Sequence, residues 1–264
     1  MANNISKLAH VGASAKIGDN VTIHPFAYID DNVEIGDGCE IMSYTSIVRG
    51  TRIGKNNKIY QGSIIGADPQ DFRWKGEDSY CYIGDNNVIR EHVIINRGIT
   101  SEGGTRLGNN SFIMADSHIG HDSHIGDNCV LGNGVLIAGD AEVDNCTILS
   151  SGVMLHENSR VGEWVLIKGG CRITGNVPPY VIMAHNPASY FGVNAIILRK
   201  GGFTEEQIDN IAKAYRHIYQ TGTSVFNALR RIEADVTEGT VRDHITDFIR
   251  NVNLKIVAIP RDLE

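Results

Sequence analysis

Over most of residues 11 to 173, an aliphatic side chain recurs at every sixth position. Val11, Ile17, Ile23, Ile29, Ile35, Ile41, Ile47, Ile53, Ile59 and Ile65 form an unbroken run of ten. The beat returns at Ile83, Ile89 and Ile95, then runs from Leu107 through Ile113, Ile119, Ile125, Leu131, Ile137, Val143, Leu149, Leu155, Val161, Ile167 and Ile173. With aliphatic residues at about a fifth of ordinary composition, chance does not produce such a run. A period of six fits neither a helix nor a simple alternating strand. It predicts short strands separated by corners, each strand sending one aliphatic residue into a stacked, prism-like core. Glycine often follows the aliphatic residue, as at Gly18, Gly36, Gly54, Gly84, Gly126 and Gly162, with Asp or Asn close behind. These are turn-forming residues and are read as the corners.

Two stretches break the beat. Residues 66–82 (GADPQDFRWKGEDSYCY) and 96–106 (NRGITSEGGTR) are polar and contain glycine. They read as loops thrown out from the coil, where a rigid scaffold commonly carries function. After Pro178 and Pro179 the period changes to a helical one. Thr204-Glu205-Glu206-Gln207 is a capping box, and Ile208, Ile211, Ala212, Tyr215 and Ile218 share one helical face. Val225, Phe226, Leu229 and Ile232 predict a second helix, and Val241, Ile245, Phe248, Ile249 and Val252 a third. The expected organisation is a mainly β solenoid over 1–190 and a small helical domain over 191–264.

Composition narrows the function. A formal net charge of −7 argues against a chain that coats phosphate backbones, so nucleic acid is excluded as a main partner. The five cysteines, an odd number without a CxxC pair, suit a reducing compartment. The opening MANNISKLAH lacks the pattern of a secretory signal, and no apolar stretch approaches a membrane span. A cytoplasmic location is expected.

Candidate chemistry concentrates in residues 118–124, HIGHDSH, with three histidines in seven positions. If one coil takes eighteen residues, His121, Asp140 and His156 fall at nearly whole-coil separations of nineteen and thirty-five. They are expected to line one corner over three levels, a column of titratable groups of the kind that marks a site. Histidine suits general-base work at neutral pH, such as taking the proton of a hydroxyl as it attacks. Asp122 is placed to orient His121, and the Gly139 amide to serve as an oxyanion donor. His10, His24, His92, His217 and His244 lack such company and read as ordinary surface or core residues.

The six-residue beat resembles the hexapeptide-repeat family, and specific segments sharpen the likeness. HIGHDSHIG (118–126), DNCVLGNGVLIAG (127–139), NVPPYVI (176–182), FGVN (191–194), QDFRWKGE (70–77) and IREHVIINRG (89–98) together resemble UDP-N-acetylglucosamine acyltransferases, essentially end to end. The resemblance implies a left-handed parallel β-helix with three-sided, eighteen-residue coils, a small C-terminal helical domain and a homotrimer with sites between subunits. It implies transfer of an (R)-3-hydroxyacyl chain from acyl carrier protein to the 3-hydroxyl of UDP-N-acetylglucosamine, the opening step of lipid A biosynthesis, without metal or cofactor.

The same resemblance assigns His121 as catalytic base, Asp122 as its orienting carboxylate and Gly139 as the oxyanion position. It places His118, His156 and Asn194 on substrate. Gln70, Asp71 and Arg73 match a loop reaching a neighbouring subunit's site, and Arg199 and Lys200 match a basic pair near the nucleotide phosphates. Gly169 matches a position limiting the acyl groove, where glycine implies a long chain; a tight corner is the alternative reading. Lys213, Arg216, Arg230 and Arg231 are offered to the acidic carrier protein or are simply solvated helix faces.

Asp140, Glu157 and Ile196 depart from the family pattern, where histidine, glutamine and glutamate are usual. Asp140 and Glu157 therefore bear on acceptor selectivity, with a 3-amino sugar nucleotide as one alternative acceptor and acetyl-CoA as an alternative donor. Two further readings are a γ-type carbonic anhydrase with zinc on His118, His121 and His124, and a non-catalytic β-helix surface. The latter predicts Thr-x-Thr ladders, yet the sole T-x-T is Thr221-Gly222-Thr223 in the tail.

Overall fold

The computed structural model describes residues 2–253 and 255–257. Position 254 and residues 258–264 of the expected helical domain lie outside the described residues. Strands of mostly two residues stack into three parallel sheets of eleven, nine and eight strands, here the first, second and third. Register partners are whole coils apart, so the beat of six resolves into three columns. Ile23, Ile41 and Ile59 stack in the first sheet, Ile29, Ile47 and Ile65 in the second, and Ile17, Ile35 and Ile53 in the third. Ile29, Ile41, Ile47, Ile59 and Ile65 are fully buried, each contributing about 2 kcal/mol from area removed from water. The columns therefore hold the prism together from within.

The corners are built differently from the expectation. The glycine directly after the aliphatic residue is not the one in a left-handed conformation. That conformation falls three residues after the aliphatic position, at Asn20, Asn32, Asn56, Asn110, Asp122, Asn128, Asp140 and Asn158 among others, side chains that tolerate it. The earlier glycine answers a different demand, the close approach of the next coil. A Cβ on Gly36 would stand 2.6 Å from the Gly54 carbonyl oxygen.

The two breaks in the beat are insertions between register-matched strands. Ile64–Ala67 leads out through residues 68–80 to Cys81–Ile83, and Ile94–Asn96 leads out through 97–104 to Thr105–Leu107. The coil resumes in register after each, with Ile53 beside Ile83 and Ile83 beside Leu107. Both excursions leave from the end of a second-sheet strand, so they emerge along the same edge of the prism.

The solenoid closes with an antiparallel pair, Val181–Ala184 and Ser189–Val193. Four helices follow: α1 (Ala195–Lys200), α2 (Glu205–Tyr219), α3 (Val225–Asp235) and α4 (Thr240–Asn251). The capping box at Thr204 and Gln207 forms as read, and Ser224 caps α3. The six-residue α1 had no distinct signal in the sequence pattern. Tyr219 stacks on Tyr190 with ring centroids 4.4 Å apart, and the Tyr215 hydroxyl donates to the Pro179 carbonyl at 2.5 Å. These contacts anchor α2 to the last strand of the solenoid.

Among the described residues no helix is long and apolar enough to cross a membrane.

Candidate active site

His121 sits at the corner after the second-sheet strand His118–Ile119. Register pairs Ile119 with Ile137 and Ile137 with Leu155. Two residues on from each, the vertical column is therefore His121, Gly139 and Glu157. Asp122, Asp140 and Asn158 form the neighbouring column, and His156 lies one position earlier. The separations of nineteen and thirty-five thus bring Asp140 and His156 to the right corner but one residue out of line with His121 on either side.

Glycine at 139 is what lets the imidazole lie flat against the coil below. A Cβ there would stand 2.3 Å from His121 Nε2 and 2.4 Å from Cε1, inside any tolerable contact. The ring is 6 % exposed. Its Nδ1 lies 3.1 Å from Asp122 Oδ2. Adjacent residues in a strand point apart, but Asp122 has a φ of 54°, which turns its carboxylate back beside the ring. The same Oδ2 accepts from the Ile99 amide at 2.9 Å, and the Asp122 amide donates to Thr105 Oγ1 at 2.9 Å. The second excursion loop thus holds the carboxylate that holds the base. With Nδ1–H donating to Asp122, Nε2 keeps the lone pair that a proton acceptor needs.

The Gly139 amide is unspent. Among the described residues it donates no hydrogen bond, although its carbonyl accepts from Asn158 at 3.3 Å. The residue one coil below, Glu157, turns instead toward Arg73, 3.6 Å away. An unspent N–H at a corner beside a base is the kind of group an oxyanion donor requires.

The first excursion loop closes over this corner. Asp71 Oδ2 lies 3.3 Å from His121 Nε2 of its own chain. Arg73 reaches Asp71 at 2.9 Å and Asp140 at 3.3 Å, so one guanidinium serves three carboxylates. Hydrogen bonds from the Arg73 side chain and backbone hold the Asp71 carboxyl down at about 2. Burial, aided by the nearby His121, holds His118 below the usual histidine value. His121, Asp122 and Asp140 each bring an atom of metal-ligand type to within 4.8 Å of one another. Arg73 already supplies the cation on Asp140.

The zinc arrangement on His118, His121 and His124 does not assemble. His118 is on the second sheet beside Ile94 and Leu136, whereas His124 is on the third beside Arg106 and Glu142. His124 instead lines a groove of about 720 Å³ that includes neither of the other two.

The remaining sequence-assigned residues stand apart from this cluster. Gln70 and His156 are exposed, His156 Nδ1 lying 3.1 Å from the Glu157 carbonyl. Asn194 is buried and donates its amide to the Trp164 carbonyl at 2.9 Å. Arg199 pairs with Glu205 through both carboxylate oxygens, and Lys200 is exposed in the last turn of α1. Among the described residues no hydrogen bond or ion pair ties Asn194, Arg199 or Lys200 to His121 or its partners. Gly169 is exposed, and its φ is not left-handed; that conformation belongs to Gly170. A Cβ at 169 would meet only the Ser151 carbonyl at 3.1 Å and the Ser150 Cβ at 4.0 Å. Sequence reasoning missed Ile99 and Thr105, since both act through backbone or hydroxyl contacts with no motif of their own. Their loop, however, was singled out as a break in the beat.

Comparison with known proteins agrees with this picture. Residues 176–257 match the family model described as UDP N-acetylglucosamine O-acyltransferase, domain 2. Residues 104–139 match the bacterial transferase hexapeptide, and residues 5–103 match a GMPPB C-terminal domain. The UDP-N-acetylglucosamine acyltransferase of Bacteroides fragilis is 47% identical with a TM-score of 0.93, covering 96% of this chain and 99% of its own. That of Francisella novicida is 39% identical with a TM-score of 0.94, covering 97% and 95%. The corresponding protein of Acinetobacter baumannii is 30% identical with a TM-score of 0.92, covering 96% and 99%. With a buried, oriented histidine over a glycine corner and likeness along nearly its whole length, the chain belongs to the UDP-N-acetylglucosamine acyltransferase family and is an acyltransferase.

Proposed function

We propose that the chain transfers an (R)-3-hydroxyacyl group from acyl carrier protein to the 3-hydroxyl of UDP-N-acetylglucosamine, opening lipid A biosynthesis, with His121 as general base. The observation that carries this reading is the clamp on His121, with Asp122 on Nδ1 and with Nε2 over Gly139, whose amide is unspent, and beside Asp71. Nε2 takes the hydroxyl proton as the sugar oxygen attacks the thioester carbonyl. The Gly139 N–H stabilises the resulting oxyanion. Collapse expels the carrier's thiolate, which recovers the proton from the imidazolium, leaving an ester and a free carrier thiol. Asp71 stands at the entrance to Nε2, where a sugar hydroxyl entering the corner meets a carboxylate acceptor.

Several features support the rest of the reading. Outward positions on the first and second sheets include apolar runs, with Val130, Ile148 and Leu166 on one and, next to His118, Leu136 and Met154 on the other. Leu136 and Met154 are 42% and 46% exposed, surface of the kind a neighbouring subunit buries. The reading includes a homotrimer with sites between subunits, Asn194, His118 and His156 on the substrate, and Arg199 and Lys200 toward the nucleotide phosphates. Gly169 is exposed and presents no side chain, which suits a long acyl chain. Lys213, Arg216, Arg230 and Arg231 are offered to the acidic carrier protein, and the setting is the cytoplasm, where five free thiols persist.

The test offers 3-hydroxyacyl carrier proteins of graded length, and acetyl-CoA, to UDP-N-acetylglucosamine and to its 3-amino analogue. The expected product is an alkali-labile ester formed from a long-chain carrier protein. No transfer to the hydroxyl sugar by folded protein would overturn the stated acceptor. Preference for the amine would assign Asp140 and Glu157 to a different acceptor class.

A further inference from the structure

The proposed mechanism leaves unexplained how two loops, inserted at different levels of the coil, come to grip one imidazole from both of its nitrogens. The first loop supplies Asp71 to the Nε2 side, and the second supplies Ile99 to the carboxylate on the Nδ1 side. At the root shared by the two loops lies a single buried cation. Arg97 is 6 % exposed, an unusual place for a guanidinium unless its charge is matched.

The contacts of Arg97 reach the first excursion loop and the end of the strand from which that loop leaves. Its backbone amide donates to the Ala67 carbonyl at 2.9 Å. Its NH1 donates to the Gly66 carbonyl at 3.3 Å, and its NH2 pairs with Asp68 at 2.8 Å. Its guanidinium carbon lies 5.3 Å from the centre of the Trp74 ring, within the range of a cation–π attraction. Trp74 in turn donates its amide to the Asp71 carbonyl at 3.2 Å. In the other direction, Gly98 donates to the Tyr80 carbonyl at 3.0 Å, and Ile99, next along, holds Asp122.

We propose that Arg97 is the positioning residue of the site, clamping the first excursion loop to the second so that Asp71 and Asp122 bracket His121. The contacts close a ring: His121 to Asp122, to Ile99, back along the chain to Arg97, across to Asp68 and Trp74, and through Asp71 to His121 again. Among the described residues Arg97 makes no hydrogen bond or ion pair with His121, so it acts on the reaction only through these loops. Its planar fork meets a carboxylate and a carbonyl while its face meets an indole, a combination that lysine does not reproduce. Displacements of about 1 Å in a positioning group cost up to roughly 10²-fold in rate, so a loosened clamp is expected to register in catalysis well before it registers in folding. The inference rests on the acyl-transfer reading above.

The experiment compares wild type, Arg97→Lys, Asp68→Ala, Asp71→Asn and the double variants Arg97→Lys/Asp71→Asn and Asp68→Ala/Asp71→Asn. Asp68 is the exposed end of the pair, so its variant loosens the clamp without leaving a cavity, and it decides the question if Arg97→Lys folds poorly. Steady-state transfer is measured with the sugar nucleotide varied, alongside thermal melting. Arg97→Lys and Asp68→Ala are each expected to lower kcat/KM for the sugar nucleotide about tenfold or more, mainly through KM, with melting nearly unchanged. In the Asp71→Asn background the same changes are expected to cost less than their full factor, because one of the two carboxylates through which they act is already disabled. Wild-type kinetics in both single variants would overturn the proposal. So would losses that multiply in full in the double variants, since Arg97 would then act independently of Asp71. Absence of transfer by wild type would instead overturn the proposed function itself, which keeps the two failures distinct.

Discussion

Two corners of the same solenoid share a backbone and spend it differently. At most corners after third-sheet strands, the coil below sends up a side chain to cap the amide above. Asp37 accepts from the Asp19 amide at 3.0 Å, Asp85 from Lys55 at 2.6 Å, Asp127 from Asn109 at 2.7 Å and Asn145 from Asp127 at 2.8 Å. At the corner after the second sheet the equivalent column is His121, Gly139 and Glu157. Here, among the described residues, no side chain caps the Gly139 amide, and the carboxylate below is turned toward Arg73. The first corner uses its polar groups to close the coil. The second leaves them open for a reaction, and the excursion loops supply what the coil withholds.

The sharpest way to break this contrast is to put a side chain into the open corner. Gly139→Ala places a methyl group 2.3 Å from His121 Nε2. It is expected to lower acyl transfer about 10³-fold by displacing the base and blocking the oxyanion position. Steady-state rates measure this loss. Asp122→Asn should come next. It removes the charge that fixes the Nδ1–H tautomer and is expected to cost about 10²-fold in kcat, with little change in acceptor KM.

The contrast also explains what could be read before the fold was seen. The beat of Ile23, Ile41 and Ile59 announced the coil because an inward position on a stacked strand tolerates only an apolar side chain of about that size. His121 with Asp122 stood out because three histidines in seven residues is rare on such a scaffold. The corner chemistry was less legible. Glycines such as Gly36 looked like turns but answer the approach of the next coil, while the left-handed position falls two residues later, where Asn and Asp do the work. The loops were visible only as interruptions. Their contacts with His121 depend on where the coil is interrupted in three dimensions, and Ile99 acts through a backbone amide that has no residue signature. Asn194 was assigned to substrate by likeness alone, and in the single chain its side chain is committed to Trp164.

A smaller effect should follow from pH. Burial holds His118 below its ordinary value, so the folded state favours its neutral form. Its contribution to stability is complete above about 6.5, the unperturbed value, and is lost as pH falls toward the depressed one. Histidine NMR titration should place the His118 midpoint below that of an unfolded-chain histidine. Asp71, held at about 2 by Arg73, should stay ionised throughout, its contribution present above 3.8 and fading only as pH falls through about 2.

The smallest effect belongs to the closed corner. Asp127→Ala removes the cap on the Asn109 amide and is expected to cost about 1 kcal/mol of stability while leaving transfer rates unchanged. Chemical denaturation and the transfer assay together read both sides of that expectation.

The most direct measurement is single-turnover acyl transfer from a 3-hydroxyacyl carrier protein to UDP-N-acetylglucosamine by wild type and by His121→Ala, with melting of both followed in parallel. The open-corner account predicts ester formation by wild type and a rate lower by about 10²- to 10⁴-fold in the variant, at unchanged melting temperature. A His121→Ala protein that folds and transfers the chain within a few-fold of the wild-type rate would contradict it.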